Sequence, residues 1–206
     1  MNRTFLLTAA AAAVLSLAAC NNPATPAATN TASDAATAAN QPVNAAQDTV
    51  GAAVGQGSAA TVGSHDTGAF VSNATQSNMY EIEAAKIAQA RSKNAAVKAF
   101  GKQMVTDHTA LANEMRPVIT AAGQKPADKL DQRRQGFIDN LKQATDANFD
   151  KTYIDQQVAA HEEALTLLQG YASDGSDAGL KAAAAKAVPM VQEHLDKAKS
   201  IQATLK

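Results

Sequence analysis

"VKAFGKQMVTDHTALANEM", residues 97–115, decides the fold. Its apolar residues recur every three or four positions: Val97, Phe100, Met104, Leu111 and Met115, with Val118 and Ala122 extending the stripe. That is the period of an α-helix with one face turned to a core. One member of the stripe breaks the rule. His108 falls in its middle, where an apolar interior has no ordinary use for an imidazole.

The same steps recur on either side. Downstream they select Ile154, Val158, His161, Leu165, Leu168 and Ala172, and then Leu180, Ala184, Ala187, Val191, His194, Ala198, Ile201 and Leu205. Upstream they select Phe70, Ala74, Ser77, Glu81, Ala84 and Ala88. The pattern predicts long helices over 67–92, 95–122, 147–173 and 177–205, and a shorter one over 128–144. Asp66 or Thr67 caps the first, Gly123 and Pro126 stop the second, and "SDGSD" turns the chain into the last. Pro117 and Pro189 fall inside helices and should kink them. No stretch alternates with a period of two. The expected fold is all-α, an antiparallel four-helix bundle with one extra short helix.

The ends of the chain carry an address. Residues 1–20, "MNRTFLLTAAAAAVLSLAAC", run from a basic start through an apolar stretch to small residues before a cysteine, the order of a secretory signal. The final "LAAC" matches a lipobox, so residues 1–19 are expected to be removed and Cys20 acylated as a membrane anchor. Asn21, in place of an aspartate, points to the outer membrane facing the periplasm. Cys20 is the only cysteine, so no internal disulfide or further thiol chemistry is available. Residues 20–66 hold Asp34 and Asp48 as their only acidic groups before Asp66, and no Lys or Arg. They read as a flexible tether, with transient helix around 43–54, ahead of a helical domain at 67–206.

Eighteen basic against nineteen acidic residues build no one-signed surface, which argues against a nucleic-acid partner. Tryptophan is absent and aromatics are few, which argues against stacking platforms. No catalytic constellation is legible: there is no phosphate loop, no nucleophile elbow, and "HEEAL" has Leu165 where a zinc-protease motif needs histidine.

What remains is one ionisable side chain per long helix: Glu81, His108, His161 and His194. Buried ionisable groups must be neutral, paired or bound. The four are therefore candidate ligands of one transition metal ion (zinc, copper or iron), with Asp107, Met104 and Asp155 as candidate supports behind them. Met104, Met190 and Met79 offer a sulfur-containing alternative that favours copper(I). The competing reading is a Glu–His hydrogen-bond network that fixes helix register in a non-catalytic envelope protein. At ~1.5 Å per residue, His161 and His194 are expected to differ in height by about 9 Å. A carboxylate-bridged di-iron centre is disfavoured, because Val105, Val158 and Val191 stand where glutamates three residues before each histidine are needed.

The segments "EIEAAKIA", "VKAFGKQMVTDHTALANEM", "NFDKTYIDQQVAAHEEALTLL" and "LKAAAAKAVPMVQEHLDKA" resemble the bacterial family catalogued as domain of unknown function 4142. The resemblance covers about residues 67–205. It implies a ferritin-like bundle in the periplasm, behind a lipoprotein or secretory signal, and no particular reaction. It also puts Glu81, Asp107, His108, His161 and His194 on the family's characteristic polar positions.

Overall fold

The structure is a computed structural model that describes residues 32–61, 63 and 65–205. The signal sequence, the lipobox and Cys20 lie outside these residues. Six helices follow one another: α1 (Ala32–Ala60), α2 (Thr67–Arg91), α3 (Ala95–Ala121), α4 (Gln132–Gln143), α5 (Asp146–Asp174) and α6 (Ala178–Gln202). Among the described residues there is no strand, and no helix is long and apolar enough to cross a membrane.

Local chemistry sets the boundaries. Asp66, Asn94, Asp131 and Asp177 each accept a backbone N–H of the first turn that follows, at 2.6 to 2.8 Å at the closest. Such caps satisfy amides that a helix start leaves without partners. Gly123 ends α3 at φ +70°. Its amide bonds Thr120 O and that of Gln124 bonds Ile119 O, the closure that favours a residue without a Cβ. The expected start of α4 at 128 moves to Gln132, because the Asp131 carboxylate caps there. Arg91 donates to the carbonyls of Leu141, Lys142 and Ala144 and so occupies the open end of α4.

The four long helices after α1 enclose one interior, with α2 packed on α3 and α5, and α6 packed on α5 and α3. Three-residue connections at 92–94 and 175–177 make α2–α3 and α5–α6 the adjacent pairs. Two apolar clusters fill the space. One gathers Tyr80, Phe100, Met104, Phe137, Tyr153 and Ile201, and the other Phe70, Met115, Ile119, Leu168, Tyr171 and Val191. Full burial of each large side chain stabilises the fold by about 1.5–3 kcal/mol. Pro117 and Pro189 do lie inside α3 and α6.

The stretch expected to be a flexible tether is instead largely helical. α1 lies on α5 and α4 and does so almost without large apolar residues. The Asp48 carboxylate accepts from Asn140 Nδ2 and Gln156 Nε2, both at 2.7 Å. Gln56 donates to Thr166 Oγ1 at 2.8 Å, and Arg133 donates to Gly51 O. Gly51 and Gly55 let the backbone approach Phe137 and the Arg133–Glu163 pair. Close backbone approach and polar clasps leave no hydrophobic period, so the sequence pattern could not reveal this docking.

Candidate metal centre

The three core histidines meet where the two apolar clusters meet. Along α3, His108 lies between Met104 of one cluster and Met115 of the other. Along α5, His161 lies between Ile154 and Leu165, and along α6, His194 lies between Val191 and Ala198, which belong to opposite clusters. They form a polar layer across the interior. All three are at most 4% exposed.

One ring nitrogen from each histidine falls within 4.8 Å of the corresponding nitrogens of the other two. Ring centroids are 5.4 to 5.8 Å apart. The height mismatch expected between His161 and His194 is therefore small. His161 lies 13 residues before the end of α5 and His194 lies 16 after the start of α6, so measured from the helix ends the two differ by only about 4.5 Å.

Each imidazole is held by a hydrogen bond from one of its two nitrogens. His161 Nδ1 donates to the Gln157 carbonyl at 2.7 Å. His194 Nε2 donates to Asp107 Oδ2 at 2.9 Å. Asn78 donates its amide to the His108 carbonyl at 3.0 Å, and its Oδ1 accepts from His108 Nδ1 at 2.9 Å. These acceptors fix the tautomers, because a carbonyl or carboxylate oxygen can only accept. The nitrogens left over are Nε2 of His108, Nε2 of His161 and Nδ1 of His194, and all three are buried without a partner. Three buried, unpartnered lone pairs on rings this close repel one another and attract a cation.

Burial also keeps His108 and His161 neutral. Desolvation, with His161 and His194 nearby, holds His108 well below the usual imidazole range. Desolvation lowers His161 to about 4, opposed by the Gln157 carbonyl and aided by His194. Neutral imidazole is the form that binds metal.

Glu81 comes close but stays outside the triangle. Its Oε1 is 3.7 Å from His161 Nδ1, the nitrogen already given to Gln157. Desolvation raises its carboxyl to about 8, with the Gln157 amide and Arg134 pulling it back and Glu163 adding to the rise. Near neutral pH both partners are thus uncharged, and the contact is no ion pair. Both Glu81 oxygens, the Gln157 side-chain amide and the Tyr153 hydroxyl are buried, and none of them makes a hydrogen bond of ordinary geometry.

Of the proposed supports, Asp107 holds His194, as described. Met104 packs among Phe100 and Tyr153 in the core. Asp155 instead binds Lys151 and Gln202 at the surface. Asn78 and the Gln157 carbonyl escaped the sequence reading. Asn78 could have been noticed as an amide one turn before Glu81, whereas a carbonyl four residues before a histidine exists in every helix and signals nothing.

The geometry defines an all-helical protein with a buried three-histidine cluster. The chain belongs to the family described as Domain of unknown function (DUF4142), which it matches over residues 51–201, from within α1 to the end of α6. No curated protein and no solved structure gives a significant match.

Proposed function

We propose that the protein is a lipid-anchored envelope protein whose ferritin-like four-helix bundle, built from α2, α3, α5 and α6, binds one transition metal ion on His108, His161 and His194. One observation carries this reading: every imidazole of the close-set cluster has its proton committed to an oxygen acceptor and its lone pair buried without a partner. Metal-binding histidines have this arrangement, because the outer bond fixes the ring and raises its basicity.

Nitrogen donors favour zinc, copper or iron over magnesium and calcium. An ion with Zn–N distances of about 2.1 Å needs the three nitrogens about 3.4 Å apart, a modest contraction of the present triangle. Three protein ligands leave a fourth position for water or a small ligand. Asp107 behind His194 supplies a carboxylate close to the ion, and the Glu81 carboxyl lies beside His161. A purely structural network is the second reading, favoured by the three outer hydrogen bonds. Against it, buried networks stabilise only when every member is satisfied, and Glu81 is not.

Acylation at Cys20 and a periplasmic, outer-membrane location rest on the sequence of residues 1–21. Melting of the full-length protein tests the metal reading. Added zinc or copper should raise Tm, with about 4 kcal/mol of stabilisation at a thousandfold excess over Kd, and a chelator should reverse it. An unmoved Tm with both metals would count against the site.

A further inference from the structure

Beside the histidine cluster a pocket opens from the surface into the core. A cavity of about 240 Å³ is bordered by all four long helices after α1 and by residues just before α4. His108 lines it together with Leu111, Met115, Ile119, Leu168 and Val191. Native interiors hold few voids larger than a water molecule, and an apolar cavity of about 150 Å³ is enough to bind benzene.

Two features say what would fill it. First, the wall is mostly apolar, and the Thr75 and Asn78 side chains on it are already engaged. Thr75 Oγ1 accepts from Ala127 N at 3.0 Å and donates to Val71 O at 2.7 Å, and the Asn78 amide is used on both sides by His108. Water in this space would find few partners, whereas hydrocarbon would find close-packed walls. Second, Arg116 lines the same cavity and is exposed. It lies eight residues after His108, about 12 Å along α3. Among the described residues no carboxylate pairs with its guanidinium, and the nearby Glu114 is taken by Lys186 at 2.7 Å. The space is an apolar slot with an unspent cation on its rim.

We propose that this cavity binds a medium-chain carboxylic acid, with the acyl chain inside and its end toward His108, and the carboxylate on Arg116. Apolar burial supplies the affinity and the guanidinium supplies a two-pronged match to the carboxylate that fixes orientation. The inference stands on the cavity and Arg116 and does not require the metal.

Calorimetric titration of the full-length protein with octanoate tests it, with octanol as the uncharged control. The expected result is saturable octanoate binding that weakens about tenfold in Arg116→Gln, which is about 1.4 kcal/mol. Octanol should bind more weakly than octanoate and be indifferent to that substitution. Ala187→Phe, which fills the slot, should abolish binding of both, and Ala164→Leu serves the same purpose if the phenylalanine variant loses its helical circular dichroism. Absent octanoate binding, binding that survives the filling substitutions, or affinity untouched by Arg116→Gln would each overturn the proposal.

Discussion

Asp107 on α3 accepts the Nε2 proton of His194 on α6 at 2.9 Å, while Nε2 of its neighbour His108 stays buried and unpartnered in the same histidine cluster. One dipeptide thus contributes a donor atom and orients another across the helix interface. His194 is fully buried, but the Asp107 side chain is 31% exposed, so it can be altered without opening the core.

Asp107→Asn should keep the fold and weaken metal binding by about 10- to 100-fold, the usual cost of losing a carboxylate behind a metal-bound histidine. Competition against a chromogenic chelator measures it. Asn78→Ala, which releases His108, should weaken binding in the same direction. Unchanged affinity in both would mean that the outer bonds do not prepare the rings for an ion.

Stability of the metal-free protein should peak between its acidic and alkaline limits. Glu81 is raised from 4.5 to about 8, so the folded state holds its proton more tightly than the unfolded chain. Its contribution is full below pH 4.5 and is lost as pH rises toward 8. His161 is lowered from 6.5 to about 4, so its contribution is full above 6.5 and is lost as pH falls toward 4, and His108 acts in the same sense. Above pH 6.5 only the Glu81 effect remains of these three, and a decline on the order of 2 kcal/mol toward pH 8 follows. Urea midpoints across pH 4–9 measure it, and Glu81→Gln should flatten the alkaline side.

The clasp that holds α1 depends on a buried ion network. Glu163 accepts from Arg133 at 2.7 and 2.9 Å and from Arg134 at 2.8 Å, and Arg134 is 3% exposed. Glu163→Ala leaves that guanidinium without its central partner and should cost about 3–5 kcal/mol. Gly55→Ala acts from the other side, because the new Cβ would lie 2.5 Å from Arg133 Nη1 and closer still to Glu163. Limited proteolysis should then cut within residues 45–60 of either variant before it cuts 67–205. Equal protection in both variants would contradict the clasp.

Cys20→Ser should move the protein from the membrane fraction to the soluble periplasmic fraction and abolish incorporation of labelled palmitate. Retention of both properties would contradict acylation at that residue.

The helical stripes were legible because apolar burial leaves a period. Phe100, Met104 and His108 on α3, and Ala187, Val191 and His194 on α6, are buried where that period puts them. That the three histidines face the core was legible for the same reason, because a polar residue on a buried stripe must point inward. That they meet at one level was not, since residue counting put His161 and His194 about 9 Å apart. Two other features left no such mark. α1 docks through Asp48 and two glycines, and hydrogen bonds and close approach have no repeat in sequence. Glu81 shares the stripe with its neighbours, yet helix rotation and side-chain reach put it 3.7 Å from the engaged nitrogen of His161, and a count of residues cannot resolve that distance. The cavity beside His108 belongs to the same class, since an absence of atoms is written only in three dimensions.

The central claim is that His108, His161 and His194 together hold one metal ion. Elemental mass spectrometry of untagged full-length protein, isolated without chelator, tests it most directly when run beside His108→Leu/His194→Leu. The account predicts about one transition metal ion per chain in the parent and none in the double variant, with the variant's metal-free form at least as stable as the parent's because apolar side chains replace buried polar ones. No metal in the parent after incubation with zinc, copper and iron, or an equal amount in the double variant, would contradict it.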